Sequence, residues 1–303
     1  MKKALSFVIA ALLCLTMLAG CGGESSSSSS SSSSSTDSSS ESSSESSSVD
    51  SSEPEDSSSD ESSSDSSQAQ VEDRLEAIKA AGKIVMLTNA AFPPFEYVAD
   101  NVVAGVDADI AAEIAKDLGV ELEITDMDFD GIITALQNGR GDFAAAGMTI
   151  KPDRLEQVDF SIEYVKSSQY VIIKKGSGVT VDTLADCVIG VQEGTTGDFY
   201  ATDDIMGDPN TENVKRYKNA IIASQDLMNG RVDAVIIDKL PAESIVAQNA
   251  DTLELLPDML TEESYAIAVQ KGQTALLDAI NATLQRLVDE GKVDEYVIKH
   301  MGE

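Results

Sequence analysis

Residues 107–124 read DADIAAEIAKDLGVELEI, and this stretch combines a helix pattern with a strand pattern. Its apolar residues at positions 110, 114 and 118 share one face of a helix, and Gly119 follows where that helix would end. The next five residues alternate between apolar and acidic side chains, which is the pattern of a half-buried strand. A helix that leads directly into a strand is the repeating unit of α/β proteins.

The same alternation continues along the chain. Strand patterns cover residues 83–87, 188–191 and 234–237, and helix patterns cover residues 220–228 and 274–289. Strands that alternate with helices of this length usually form parallel sheets. We therefore expect an α/β fold with mostly parallel sheets.

Two segments share a short sequence pattern. Residues 136–144 (LQNGRGDFA) match residues 227–235 (LMNGRVDAV), and each reads as a helix end, a glycine and a buried strand. The first strand leads to Thr149 and the second to Asp238. Ligands of open α/β sheets usually lie at the carboxyl ends of strands, so the repeat favours two lobes with ligand groups at those ends. A chance match between two common helix–glycine–strand joints is the alternative.

Composition excludes several classes of function. The chain of 303 residues has 21 Lys and Arg against 53 Asp and Glu, a formal net charge of -32. Such a surface excludes a nucleic-acid-binding protein that neutralises phosphates, and it offers no basic patch for anionic lipid. There is no Trp and one histidine, His300, so Ser-His, Cys-His and His-metal chemistry are not expected. No metal or cofactor is predicted: Asp107 and Asp109 lack the other ligands of a calcium loop, and Cys187 is interpreted as a buried small hydrophobic residue.

The N-terminus indicates export and anchoring. Residues 1–20 begin with Met-Lys-Lys and continue as a short apolar run, the pattern of a secretory signal peptide. Leu18-Ala19-Gly20-Cys21 resembles the lipobox of bacterial lipoproteins, in which the cysteine is lipidated and becomes the first mature residue. An ordinary signal peptide with an incidental cysteine is the alternative. Residues 21–70 are mostly Ser, Asp and Glu, and we predict a disordered tether on the extracellular face of the cell membrane.

Two segments at predicted strand ends carry candidate ligand-binding residues. Residues 88–97 (TNAAFPPFEY) follow the first strand and place three aromatic side chains around a Pro-Pro break. Residues 147–154 (GMTIKPDR) put Arg154 on the first turn of a helix, where the helix dipole disfavours a lone cation. The arginine is explained if it pairs with an anion, which is either a ligand carboxylate or an internal acid such as Asp159 or Glu163.

A third segment, residues 192–198 (QEGTTGD), forms a small anion cradle at a predicted helix N-terminus. Asp238 ends an apolar run and leaves a carboxylate at a strand tip. Together the three segments and Asp238 supply donors for a carboxylate, an acceptor for an ammonium group, and aromatic walls. That combination describes a site for a zwitterion.

Residues 83–302 resemble the bacterial extracellular solute-binding proteins, family 3, which supply polar amino acids to ABC importers. The matching pieces are AFPPFEY at 91–97, GVDADI at 105–110, DFDGI at 128–132, AGMTI at 146–150 with Arg154, VDFS at 158–161, and the strand end at Asp238. The resemblance implies a two-lobed, type II periplasmic-binding-protein-like α/β fold, in which each lobe is a mostly parallel sheet with flanking helices. The chain would cross between the lobes twice, near residues 166–170 and 263–266. Lobe 1 would then comprise residues 71–167 and 267–303, and lobe 2 residues 168–266.

The resemblance also implies eight ligand-binding residues, which are Asn89, Phe92, Phe129, Gly147, Thr149, Arg154, Thr196 and Asp238. The two phenylalanines would flank the aliphatic part of the ligand. The glycine, the two threonines and the arginine would hold its α-carboxylate, and the aspartate its α-ammonium group. Many family members have Asp where this chain has Asn89, facing the ligand side chain. The amide leaves both neutral, glutamine-like side chains and basic side chains open.

The implied function is that of a lipid-anchored, monomeric binding protein, not an enzyme, that passes a free amino acid to an ABC permease. An enzyme resembling the cyclohexadienyl dehydratases is the alternative on the same fold, with Glu193 as its acid and prephenate or arogenate as its substrate. A surface adhesin that uses the acidic tether is a third hypothesis. It would not require Arg154 and Asp238 to face a common cleft.

Overall fold

The computed structural model describes residues 73–302, so the predicted signal peptide, Cys21 and the tether of residues 21–70 lie outside the described residues. The strands are β1 (Lys83–Thr88), β2 (Ala91–Phe92), β3 (Glu96–Ala99), β4 (Val102–Ala104), β5 (Glu121–Asp126), β6 (Phe143–Ala144), β7 (Val158–Phe160), β8 (Val165–Ser167), β9 (Gln169–Lys174), β10 (Ile189–Gln192), β11 (Val214–Tyr217), β12 (Ala234–Asp238), β13 (Leu253–Leu255), β14 (Glu263–Tyr265) and β15 (Ala268–Gln270).

The α-helices alternate with these strands, as the sequence predicts. They are α1 (Arg74–Ala81), α2 (Val106–Leu118), α3 (Ile132–Gln137), α4 (Pro152–Leu155), α5 (Thr196–Phe199), α6 (Ala220–Met228), α7 (Lys239–Gln248), α8 (Thr274–Asp289) and α9 (Lys292–Met301). Short 3-10 turns cover Phe129–Gly131 and Val181–Asp186, and a π-helical turn covers Tyr200–Ile205.

The stretch around α2 folds nearly as predicted. The helix begins one residue earlier than expected, at Val106, and ends at Leu118. Gly119 takes the left-handed conformation (φ 72°), and its N–H donates to the carbonyl oxygens of the last turn. The N–H of Val120 also bonds back to that turn, at 3.0 Å from the oxygen of Ala115, so β5 begins only at the following residue.

The first sheet has the strand order β5-β1-β6-β15-β7. β1 pairs in parallel with β5 and β6, whereas β15 is antiparallel to β6 and β7. The sheet is therefore mostly parallel, as expected, with β15 as the reversed strand. The apolar face of α2, including Ile110 and Ile114, lies in the core with Ile280 of α8.

The second sheet repeats this arrangement, with the order β11-β10-β12-β9-β13. β10 is parallel to β11 and β12, and β9 is antiparallel to β12 and β13. The repeated segments of the sequence take equivalent places, since β6 and β12 are each the third strand of their sheet. Each follows a left-handed glycine, Gly139 (φ 68°) or Gly230 (φ 72°).

The chain passes between the two sheets twice. It leaves the first sheet through β8 and returns to it through β14, and these two strands pair antiparallel with Glu263 opposite Ser167. The crossings lie near the positions expected from the sequence. They place Glu263, Ser167 and Tyr265 between the sheets.

Within residues 73–302 no helix is both long enough and apolar enough to cross a membrane. The same residues contain no group of three or more His, Cys, Asp or Glu side chains placed to hold a metal ion. Asp109 instead contacts Lys299 and His300, at 2.7 and 2.8 Å. Cys187 is a buried free cysteine, as the sequence suggests.

Candidate functional site

A cavity lies where strands of both sheets end, and its empty space, including the opening to solvent, is about 330 Å³. All eight residues singled out from the sequence line it. The full lining is Asn89, Phe92, Glu96, Phe129, Ala146, Gly147, Thr149, Arg154, Gln192, Thr195, Thr196 and Asp238. Residues that follow β1, β6 and β10 meet here with the last residue of β12, because the carboxyl ends of parallel strands share one edge of each sheet.

Arg154 is a buried cation in the wall of this cavity. It lies on the first turn of α4, and 4% of its surface is exposed. Its Nη1 donates to the carbonyl oxygen of Thr149 at 2.7 Å, and its Nη2 to that of Gly194 at 3.1 Å. The ring of Phe129 lies 5.4 Å from the guanidinium carbon. These contacts use two of the five N–H donors of a guanidinium.

The internal acids that could have explained Arg154 have other partners. Asp159 pairs with Lys271 at 3.4 Å, and Glu163 pairs with Lys166. No side chain among residues 73–302 forms an ion pair with Arg154. Burial lowers the pKa of Arg154, because removal from water disfavours its charged form. The arginine therefore presents an unpaired positive charge to the cavity.

The hydroxyl groups of Thr149 and Thr196 converge on one carboxylate oxygen of Glu263. Thr149 Oγ1 donates to Glu263 Oε2 at 2.7 Å, and Thr196 Oγ1 donates to the same atom at 2.8 Å. Thr261 Oγ1 donates to the other oxygen, Oε1, at 2.8 Å. Glu263 lies 114 and 67 residues from its two cavity partners, so no local sequence pattern predicted it as a site residue.

Asp238 is the anion on the other side of the cavity. Ser167 Oγ and Tyr265 Oη donate to its Oδ1 at 2.8 and 2.5 Å, and Gln169 Nε2 donates to its Oδ2 at 2.8 Å. Burial raises the pKa of Asp238 to about 6, and the nearby charge of Glu263 adds to this shift. Gln169 and Tyr265 were not predicted as site residues, because their approach to Asp238 depends on the reversed strand β9 and the crossing strand β14.

Aromatic rings form a wall beside the charged groups. Phe92 stacks on Phe95 with their centroids 5.9 Å apart, and Phe95 meets Tyr265 edge-on at 5.0 Å. Gly147 lies against this wall with φ 53°, and a Cβ atom there would lie 2.6 Å from the ring of Phe92. Only glycine allows both this conformation and this approach.

The amide nitrogen and the amide oxygen of the Asn89 side chain each form a hydrogen bond within the protein. Its Nδ2 donates to the carbonyl oxygen of Met127 at 2.8 Å, and its Oδ1 accepts from Gln192 Nε2 at 3.0 Å. The second contact joins a residue after β1 to a residue of β10, and so links the two sheets across the cavity. Asn89 therefore lines the cavity as predicted, but its amide is engaged by the protein.

Two buried acids, Asp107 and Glu96, lie close to the aromatic wall, and Glu96 is one of the lining residues. Asp107 accepts the N–H of Gly147 at 2.9 Å and the hydroxyl of Tyr164 at 2.8 Å, and this fixes the loop that carries Thr149. Burial raises the pKa of Asp107 to about 6. Burial, followed by the charge of Asp107, raises the pKa of Glu96 well above its usual range. Neither carboxyl oxygen of Glu96 has a hydrogen-bond partner among residues 73–302. Glu96 lies within the quoted AFPPFEY motif, but nothing in its local pattern indicates burial.

At the edge of the cavity, a single lysine meets three acids. Lys218 Nζ lies 3.1 Å from Asp128, 3.8 Å from Asp130 and 3.9 Å from Glu193. The two aspartates flank Phe129, after a strand of the first sheet, and the glutamate follows Gln192, which ends a strand of the second sheet. The cluster therefore joins segments from both sheets. The dehydratase alternative requires an acid that faces the substrate in the cavity. Glu193 is half-exposed and does not line the cavity.

Comparisons with known proteins place this geometry among binding proteins. Residues 84–303 match the family model of the bacterial extracellular solute-binding proteins, family 3. The arginine-binding extracellular protein ArtP of Bacillus subtilis is 32% identical over 216 residues, which cover 70% of this chain and 84% of ArtP. The crystal structure of a mutant of ArgBP from T. maritima has a TM-score of 0.70 and 38% identity, and covers 76% of this chain and 99% of that one. An ancestral arginine-binding protein bound to glutamine has a TM-score of 0.67 and 39% identity, and covers 73% and 99%.

Proposed function

The chain belongs to the bacterial extracellular solute-binding proteins, family 3, and we propose that it is the extracellular substrate-binding subunit of an ABC importer for polar amino acids. It has the two-lobed, type II periplasmic-binding-protein-like fold that the resemblance in sequence predicts. The observation that carries the proposal is Arg154, a buried cation that faces the cavity without an ion pair in the described chain.

The site's charges match the two ends of an amino acid. Taking a carboxylate and an ammonium group out of water costs several kcal/mol per ion unless each is paired and hydrogen-bonded. Arg154 has donors left for the carboxylate, and guanidinium pairs with carboxylate through two parallel bonds. Asp238 supplies the negative charge for the ammonium group. Phe92 and Phe129 would exclude water between them and strengthen both pairs.

Lobe closure follows from the same assignment. Arg154 precedes the first crossing strand and Asp238 ends a strand of the second sheet, so neither sheet alone satisfies both ends of the ligand. A ligand that contacts both favours the closed arrangement by its extra binding free energy there. We propose lobe 1 at residues 71–167 and 267–303 and lobe 2 at residues 168–266.

Charges at the edge of the cavity and the amide of Asn89 bear on the class of the ligand's side chain. The acids around Lys218 outnumber it at the edge of the cavity, and this field favours basic ligands. Asn89, however, provides an amide instead of the carboxylate that would pair with a cationic head. The similar proteins include one that binds arginine by name and one solved with glutamine. We therefore take L-arginine and L-glutamine as the first probes.

A thermal-shift screen of the purified protein against the common amino acids tests the proposal. A ligand at 100 times its dissociation constant adds about 2.7 kcal/mol to the free energy of unfolding, which is readily measured. Stabilisation by one or a few polar amino acids is the expected result. A sugar, a peptide or a metal ion as the sole ligand would contradict it.

The dehydratase alternative is tested on the same preparation. Proteins similar to this chain are binding proteins, and we propose that it has no enzymatic activity of its own. Prephenate and arogenate should be recovered unchanged after incubation. Product formation that is lost in Glu193→Gln would establish the enzyme instead.

The finer localisation is also a proposal. The family is extracellular, and we propose that lipid on Cys21 holds the protein, as a monomer, at the outer face of the cell membrane beside its permease. Replacement of Cys21 by Ala should release the protein into the medium. If the variant stays with the membrane fraction, the anchor lies elsewhere.

A further inference from the structure

A carboxylate of the protein, that of Glu263, is hydrogen-bonded to two cavity-lining threonines that are assigned to the ligand carboxylate. Glu263 Oε2 accepts the hydroxyl protons of both Thr149 and Thr196, at 2.7 and 2.8 Å. One threonine follows a strand of the first sheet and the other begins α5 after a strand of the second. Glu263 therefore makes the contacts between the sheets that the ligand carboxylate is expected to make.

The two carboxylates exclude each other at these donors. A threonine hydroxyl has one proton and can donate it to one acceptor at a time. While both protons are donated to Glu263, a ligand carboxylate beside Arg154 meets only oxygen lone pairs on Thr149 and Thr196. Placing a carboxylate against lone pairs, with the negative charge of Glu263 behind them, is unfavourable. Binding through these hydroxyls thus requires Glu263 to withdraw.

The position of Glu263 allows such a withdrawal. It starts β14, one of the two crossing strands, and the residue is half-buried. Its other oxygen is held by Thr261, two residues away on the same segment. A rotation of the side chain would return the charge to water without unpacking the core. Tyr265, two residues further along β14, donates to Asp238, so the same strand contacts Asp238 and the two threonine hydroxyl groups.

We propose that Glu263 is an internal competitor of the ligand. Its hydrogen bonds from Thr149 and Thr196 break when an amino-acid carboxylate binds and accepts from those hydroxyl groups instead. The inference rests on the proposed function. It makes Glu263 a residue that weakens affinity for every amino acid alike, because all of them share the α-carboxylate. A specificity residue would act differently on cationic and neutral side chains.

Isothermal titration of the parent, Glu263→Ala and Glu263→Gln with L-arginine and L-glutamine tests this. Glu263→Ala should bind each amino acid that the parent binds at least fivefold more tightly. Glu263→Gln should change in the same direction by at least twofold, since a neutral amide oxygen accepts more weakly than a carboxylate. Glu262→Gln is the matched control: it removes the same charge from the exposed neighbouring residue and should stay within twofold of the parent.

The outcomes separate the two proposals. Unchanged or weaker binding in both folded Glu263 variants, with a parent that binds amino acids, overturns the competitor and leaves the proposed function intact. An opposite effect on arginine and glutamine also overturns it, because Glu263 would then contact the ligand side chain. If neither parent nor variants bind any amino acid, the proposed function fails and the competitor with it. Circular dichroism checks folding, and Glu263→Gln decides the question if Glu263→Ala does not fold.

Discussion

The two charged ends of the cavity are satisfied in different ways. Asp238 is surrounded by three side-chain donors, from Ser167, Gln169 and Tyr265. Arg154 contacts two backbone carbonyl oxygens and an aromatic ring, and no carboxylate of the described chain pairs with it. The protein thus solvates its buried anion and leaves its buried cation to be neutralised from outside. We therefore expect Arg154 to contribute most to the free energy of ligand binding, and Asp238 to contribute most to the free energy of unfolding.

The largest expected effect of this difference is on binding. Arg154→Ala and Asp238→Ala should each reduce the free energy of binding by roughly 2–5 kcal/mol, because each leaves one charge of the ligand buried and unpaired. We expect the larger loss in the arginine variant. In the Asp238→Ala variant, the serine, glutamine and tyrosine that surround Asp238 remain as polar contacts for the ammonium group. Isothermal titration measures both, with the exposed Arg140→Ala as the control. Variants that bind within threefold of the parent would mean that these residues are structural and that the site lies elsewhere.

Stability of the protein alone should respond in the opposite order. Asp238→Ala removes the acceptor of three donors, and buried donors without partners cost about 1–3 kcal/mol. Arg154→Met removes a buried unpaired charge and keeps much of its volume, so the free energy of unfolding should stay within about 1 kcal/mol of the parent value. Chemical denaturation without added amino acid gives both numbers. Equal losses in the two variants would show that the two ends are satisfied alike.

Sequence patterns predicted the alternation of helices and strands because that feature is local, whereas Asn89 and Phe129 were named only through the family resemblance. The helix, glycine and strand around Gly119 follow from side-chain period and one left-handed residue. Residues that follow different strands line one cavity because parallel strands bring their carboxyl ends together at one edge of a sheet. The partners of those residues could not be predicted. Gln169 reaches Asp238 only because β9 runs against β12, and Glu263 reaches Thr149 only because β14 crosses between the sheets.

The pH dependence should distinguish the two ends further, because one titrates near neutral pH. Burial holds the pKa of Asp238 at about 6, above its usual 3.8. An ammonium group binds the ionised form, so affinity should fall below pH 6 by up to about tenfold per pH unit. The free energy of unfolding of the protein without ligand should change with pH in the opposite direction. It contains a contribution that is present below the unfolded-state pKa and is lost as pH rises through about 6.

Titrations at pH 7.5, 6 and 5 measure the first effect, and thermal unfolding over the same range measures the second. Asp238→Asn is the control for both, since it keeps the shape of the side chain without its proton equilibrium. Asp107, whose pKa is also raised to about 6 by burial, contributes to the stability profile and should remain visible in the variant. Affinity that is flat from pH 7.5 to 5 in the parent would show that the ligand's ammonium group does not depend on the Asp238 carboxylate.

Asn89 gives the smallest predicted effect, because it belongs to neither charged end. Asn89→Asp adds a negative charge to the cavity but removes the donor to Met127, which leaves that carbonyl oxygen without its partner. Gln192 can still donate to the new carboxylate, so the link across the cavity is kept. The lost hydrogen bond costs the fold about 1 kcal/mol whichever ligand binds. Only a basic ligand gains from the added negative charge, so the arginine-to-glutamine preference should rise by about tenfold, or about 1.4 kcal/mol. Competition between the two amino acids measures this ratio directly. An unchanged ratio would show that the ligand side chain lies away from Asn89 and that selectivity is determined elsewhere in the lining.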